Sequence, residues 1–258
     1  MGSSTSIQPS SNRASTGPVG PMRRVELRLN LLITDISGDL RLSVYGLALL
    51  DKLFGVKLYR ELCKQAAEEC SSIFLKEKNE KSGVVSGIGT SRAHAAAHLE
   101  SFLYFIVGAF DVLASITVRL YPDHASTISP RYFRKQMRTI IDNPNISPEY
   151  ADLLARNKHW IEDVHDNRDG LAHKASAFLG FEHDGRIVFE KRRPYDDKDV
   201  FAKKAFEDLL RYLDTTLEHL YGFLDRYVEV HRKRVQVSER SKLLLDALER
   251  GDLLEYYY

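Results

Sequence analysis

The string Asn167-Arg168-Asp169-Gly170-Leu171-Ala172-His173 carries the residues best suited to chemistry in this 258-residue chain. An arginine followed five residues later by a histidine suits cleavage of RNA without a metal. The imidazole titrates near neutrality and can move a proton between the 2′-hydroxyl and the leaving oxygen. The guanidinium stays charged and forked, so it can hold a phosphate and stabilise the charge that develops there. The spacing sets a condition: on a regular helix five residues turn through about 500°, leaving the two side chains roughly 140° apart. They converge only where Arg168 stands at or before a helix start, with His173 one turn inside. Asp166 and Asn167 as caps, with Gly170 after them, predict such a start, and a helix N-terminus also favours an anion.

Arg–His pairs four to six residues apart occur four times, as Arg92/His98, Arg119/His124, Arg168/His173 and Arg226/His231, where chance alone gives about two. Only Arg168 is followed directly by a polar residue, Asp169. Without a surrounding bundle, such a pair serves equally to cap helices and bind carboxylates. Arginine, polar residue and histidine within a helical bundle resemble the catalytic motif of the HEPN superfamily, over about residues 91 to 235. The resemblance implies Arg168 as the motif arginine, Asp169 as its polar neighbour and His173 as the motif histidine. It further implies a metal-independent RNA endonuclease that leaves 2′,3′-cyclic phosphate ends and dimerises so that two motifs face one cleft. A toxin or antiviral-defence setting, with an antitoxin or defence partner, belongs to the same resemblance. The alternative from another class is a catalytically silent bundle that binds nucleotide or RNA, or serves as a dimerisation module.

Supporting residues follow from the elements around the motif. On the apolar helix expected over Ser91 to Leu120, Glu100 and Asp111 are eleven residues apart, nearly eclipsed but roughly 16 Å apart along the axis. A carboxylate on an apolar helix wants a cationic partner, and Arg168 or His173 can be one, so both are candidates to orient the motif. A short basic helix near Arg131 to Ile141 puts Arg131, Arg134, Lys135 and Arg138 on one face with Tyr132 and Phe133 between them, and these, with Lys174, are the candidate RNA contacts. Lys191-Arg192-Arg193 and His231-Arg232-Lys233-Arg234 are further basic clusters, more in keeping with solvated faces. His94 and His98 stand at ligand spacing, but three alanines separate them and no third ligand is near, so no metal and no cofactor is expected.

Composition agrees with a folded chain having no global bias. Lys+Arg number 37 against 36 Asp+Glu, a net charge of +1, which excludes a wholly basic nucleic-acid glue and an acidic disordered protein. Cys63 and Cys70 form no CxxC pair, and the chain reads as reduced and cytoplasmic. Residues 1–22 are a Ser/Pro/Gly-rich tail with no apolar core of a secretory signal, although Gly2 and Ser6 match a myristoylation pattern. The most apolar run, Phe102 to Val118, is short for a membrane span and contains Asp111, so it reads as a core helix and no membrane contact is expected.

The expected fold is all-α, an up-and-down bundle with one inserted β-hairpin near 178–190. Residues 23–80 supply N-terminal helices packing on the bundle: a helical period over Val25 to Phe54 with a break at Ser37-Gly38-Asp39, and a second helix over Lys57 to Lys78. The Gly/Ser connector Ser82 to Thr90 precedes the HEPN-like domain, 91–250. Ser147-Pro148-Glu149 opens a helix through about Val164. Asp184-Gly185 predicts a type I′ turn projecting beyond the bundle. Helical period returns over Val200 to Arg234 and again over Ser241 to Arg250.

Overall fold

Apolar residues at spacings of three and four build the long helices. The computed structural model describes residues 20–37, 40–80, 88–174, 179–191, 206–235 and 238–250. Among them stand seven α-helices: α1 (Pro21–Ser37), α2 (Leu40–Glu80), α3 (Ile88–Leu120), α4 (Phe133–Asp142), α5 (Pro148–Lys174), α6 (Leu209–Arg232) and α7 (Glu239–Arg250). A small sheet is formed by β1 (Leu179–Phe181), β2 (Ile187–Glu190) and β3 (Phe206–Asp208). The protein is therefore mostly helical, as expected. Segment 1–19 with Gly2, the connector residues 81–87, Arg192, Arg193 and residues 200–205 lie outside the described residues.

The core is organised around α3. Leu99, Phe102, Leu103, Ile106, Phe110 and Leu113 are all completely buried, packed against α2, α4 and α5. By length and composition α3 could cross a membrane, yet 56% of its apolar window is buried inside the protein. Cys63 and Cys70 are buried thiols in the α2 interface, and burial pushes the Cys63 thiol up to about 12.

Three expected boundaries are corrected. First, α2 runs unbroken through Gly55 instead of dividing there. A Cβ at Gly55 would lie 2.3 Å from the Phe105 ring, so the glycine lets α3 approach closely, and that packing offsets the ~1 kcal/mol a helical glycine costs. Second, α5 continues ten residues past Val164 to Lys174. Its inward stripe continues through His165, Asn167, Gly170 and Leu171, all buried, so packing overrides the glycine. Asp166 and Asn167 do not cap a new helix. Asp166 pairs with Arg134, and the Asn167 amide donates to Asp163 and to the Tyr212 hydroxyl, each at 3.2 Å. Third, Phe206–Asp208 is a strand, not helix, so the hairpin is part of a three-stranded antiparallel sheet with β2 in the centre. Asp208 then caps α6 by accepting from the Arg211 amide at 2.8 Å.

The Asp184-Gly185 turn is also different in kind. The Gly185 amide donates to the Glu182 carbonyl at 3.0 Å, the Glu182 amide to the Arg186 carbonyl at 2.8 Å, and Gly185 has φ +87°. This is a three-residue loop closed by a glycine bulge, not a two-residue type I′ turn. Nor does it project: Lys78 Nζ donates to the His183 carbonyl at 2.7 Å, and Phe181 stacks on Phe74 of α2 at 4.6 Å.

Candidate functional site

A cleft of about 400 Å³ opens between α3, α4 and α5. Asp111 on α3 forms one wall and fixes α4: its Oδ1 accepts from the Phe133 amide at 3.1 Å, serving the first turn of a helix whose N-cap, Tyr132, offers no side-chain bond. Arg134, Lys135 and Arg138 on α4 form the second wall; His165, Arg168 and Asp169 on α5 form the third.

These groups are tightly paired. Arg168 Nη1 lies 3.1 Å from Asp169 Oδ1. Arg134 bridges to α5 through Asp166 at 2.7 Å and Asp169 at 3.9 Å. Arg138 donates to Glu162 at 3.0 Å. Half of the basic face expected to contact RNA therefore clamps α4 to α5. Lys135 and Arg131 are exposed, Arg131 in the segment before α4 and away from the cleft lining.

Among the described residues that line the cleft, three buried polar atoms remain unsatisfied. Arg134 Nε, Arg168 Nε and His165 Nε2 are buried and find no hydrogen-bond partner. All three residues line the cleft, and buried polar atoms without partners call for them, the two guanidinium Nε–H groups for an acceptor. His165 is 4% exposed, and its pKa is pushed down to about 3 by burial and by the charges of Arg168, Arg134 and Arg138. It is a neutral imidazole at pH 7. Asp111 is raised above its ordinary value by burial, against the Phe133 amide and the Arg168 charge, with Asp169 adding to the rise. An acceptor-rich anion such as a phosphate matches this surround of guanidinium donors.

The structure thus brings Arg168, Asp169, Asp111, Arg134, Lys135 and Arg138 together. Glu100 lines a neighbouring cavity that Arg168 also reaches. His173 and Lys174 lie in the last turn of α5, and their side chains are outside the described residues. Because α5 is continuous, no helix start brings Arg168 and His173 onto one face, and ideal geometry leaves them roughly 140° apart. His165 was not singled out by the sequence; its signal is position, since His165, Arg168 and Asp169 stand at i, i+3 and i+4 on one continuous helix.

The other candidates lie elsewhere. Lys191 pairs with Asp163 at 3.0 Å and Glu207 at 2.7 Å, tying the sheet to α5. His231 is completely buried, Lys233 pairs with Glu149, and Arg234 lies over the Tyr121 ring. His94 and His98 have ring centroids 6.4 Å apart, and among the described residues no group of three His, Cys, Asp or Glu could hold a metal ion. No protein-family model, curated protein or solved structure matches this chain.

Proposed function

We propose that this protein is a metal-independent RNA endonuclease of the HEPN type, an up-and-down bundle working in the cytoplasm as a homodimer. A toxin or antiviral-defence role, with an antitoxin-like partner, extends the same reading. The observation that carries it is the cleft around Arg168, where buried Arg168 and Arg134 donors without partners surround a space of phosphate-binding chemistry. Arg168 holds the non-bridging oxygens of the scissile phosphate, and Asp169, 3.1 Å away, orients the guanidinium. His173 takes the proton of the 2′-hydroxyl as that oxygen attacks phosphorus. The P–O5′ bond breaks, the leaving oxygen takes up a proton, and a 2′,3′-cyclic phosphate and a 5′-hydroxyl remain.

The continuous helix gives the dimer its task. On ideal helix geometry one α5 sets Arg168 and His173 roughly 140° apart, and in this reading two copies about a two-fold axis pair the arginine of one with the histidine of the other. The test is RNA cleavage in EDTA. His173→Ala should cost about 10² to 10⁴ in rate. Arg168→Lys should also fail, because an ammonium cannot replace the fork. Mixing inactive Arg168→Ala and His173→Ala chains in equal amounts should restore about a quarter of the wild-type rate, since half the dimers then hold one intact composite site. Cleavage that survives His173→Ala, or that EDTA abolishes and Mn²⁺ or Zn²⁺ restores, defeats the reading.

One observation favours the silent alternative: Arg168 is already paired with Asp169 and separated from His173 on its own helix. In that case the cleft binds RNA without cutting it, Arg168→Ala abolishes binding, and no mixture of chains cleaves.

A further inference from the structure

Arg168 lines two cavities of opposite character. On one side is the cationic cleft; on the other, a cavity of about 250 Å³ between α3 and the end of α5 is lined by Glu100, Tyr104, Phe105, Leu171 and Ala172 together with Arg168. A nucleotide has the same layout: an anionic phosphate beside a flat ring with apolar faces. We infer that this second cavity is a nucleobase subsite, which seats one base of single-stranded RNA against Tyr104 while Arg168 holds the adjoining phosphate. The inference rests on the RNA reading of the cleft proposed above.

Tyr104 carries the subsite. It is 60% exposed, a large aromatic that the core does not use. It is nonetheless held in place: Phe105 packs edge-on at 6.0 Å and 90°, and Lys52 Nζ lies 5.1 Å from the Tyr104 centroid and 5.0 Å from that of Phe105. Gly108 makes room for this arrangement, since a Cβ there would lie 3.0 Å from Lys52 Cε. An oriented aromatic face beside two cations is the chemistry that binds unpaired nucleotides. Stacking takes any base, because every base has a π-face, and the cations take the backbone. The small volume admits a single base, and a duplex keeps its bases stacked away from such a face.

Affinity for a 2′-O-methyl RNA octamer, which lacks the attacking hydroxyl and stays intact, tests the subsite by fluorescence anisotropy. A backbone of equal length without bases is the second probe. Tyr104→Ala should weaken the octamer about five- to hundred-fold, the loss of one base–aromatic stack, and leave the abasic backbone unchanged. Tyr104→Phe keeps the ring and should bind the octamer like wild type. A 2-aminopurine in the octamer should be quenched by wild type and by Tyr104→Phe but not by Tyr104→Ala. If Tyr104→Ala binds the octamer like wild type while Arg168→Ala loses both probes, the base subsite is wrong and the phosphate cleft stands. If wild type binds neither probe, or Arg168→Ala changes neither, the RNA reading fails and takes the subsite with it.

Discussion

Two buried histidines set an acid limit on this fold. His165 faces the cleft with its pKa pushed down to about 3. His231 is completely buried, with its imidazole 4.6 Å from the Tyr150 ring and 4.1 Å from the Tyr227 ring; Nδ1–H donates to the Tyr227 carbonyl at 2.8 Å. Burial pushes His231 down to about 4, partly opposed by that carbonyl and assisted by Arg234. Both folded values lie below the ~6.5 of an unfolded chain, so between them the unfolded state binds more protons. The stabilisation is complete above about pH 6.5 and is lost as pH falls toward the folded values. Each histidine contributes a slope of about 1.4 kcal/mol per pH unit inside that window. From pH 7 to pH 5 the loss is about 2 kcal/mol each and about 4 together, against a total stability of order 5–15 kcal/mol. Urea denaturation followed by circular dichroism at pH 7, 6 and 5 measures it. His231→Asn retains a donor for the Tyr227 carbonyl; it should lower stability at pH 7 and remove about half the pH slope. His165→Asn should remove the other half. Equal wild-type stability at pH 5 and pH 7, or a slope untouched by both substitutions, would refute the reasoning.

Glycine positions separate close approach from open helix. Gly55→Ala puts a Cβ 2.3 Å from the Phe105 ring and should destabilise by about 1–3 kcal/mol, whereas Gly222→Ala on α6 meets nothing within 4 Å and should stabilise by ~0.5–1 kcal/mol; thermal melts should move in opposite directions. Gly185→Ala combines a φ of +87° with a Cβ 2.8 Å from Leu75, and should cost at least about 1 kcal/mol and loosen the hairpin amides in hydrogen exchange. Arg134→Ala removes the 2.7 Å link to Asp166 between half-buried side chains; it should cost about 1 kcal/mol and raise exchange in α4, and an unchanged α4 would mean the pair is screened.

The fold was legible where a segment's pattern answers to itself. The apolar period of α3, the Pro148 start of α5 and the period of α7 need no knowledge of distant neighbours. Misreadings fell where a remote contact decides. Gly55 ends a helix on local preference, yet Phe105, fifty residues away in sequence, occupies the space its side chain would take. Phe206–Asp208 continues a helical pattern until β2 offers it an edge: Glu190 pairs with Phe206 and Val188 with Asp208. Asp184-Gly185 marked a turn correctly, but the Asp184 carboxylate accepts the Arg186 amide at 3.1 Å and Gly185 takes the bulge, so the loop gained a residue.

The cleft depends on one such misreading. With α5 ending at Val164, His165 would lie outside the helix and Arg168 would open the next one. With α5 running to Lys174, His165 and Arg168 share the face that meets Arg134 and Arg138 of α4, and the buried imidazole stays neutral among three guanidinium groups. That neutrality protects the site: a protonated His165 would be a fourth cation beside Arg134, Arg138 and Arg168, repelled by each. An anion in the cleft reverses the balance, because its charge offsets the repulsion and raises the imidazole's affinity for a proton. The same continuity removes the helix start that would have set Arg168 and His173 on one face. Under the reading proposed above, residue spacing points to the arginine, and the unbroken path of the helix is why that reading takes its histidine from a second chain.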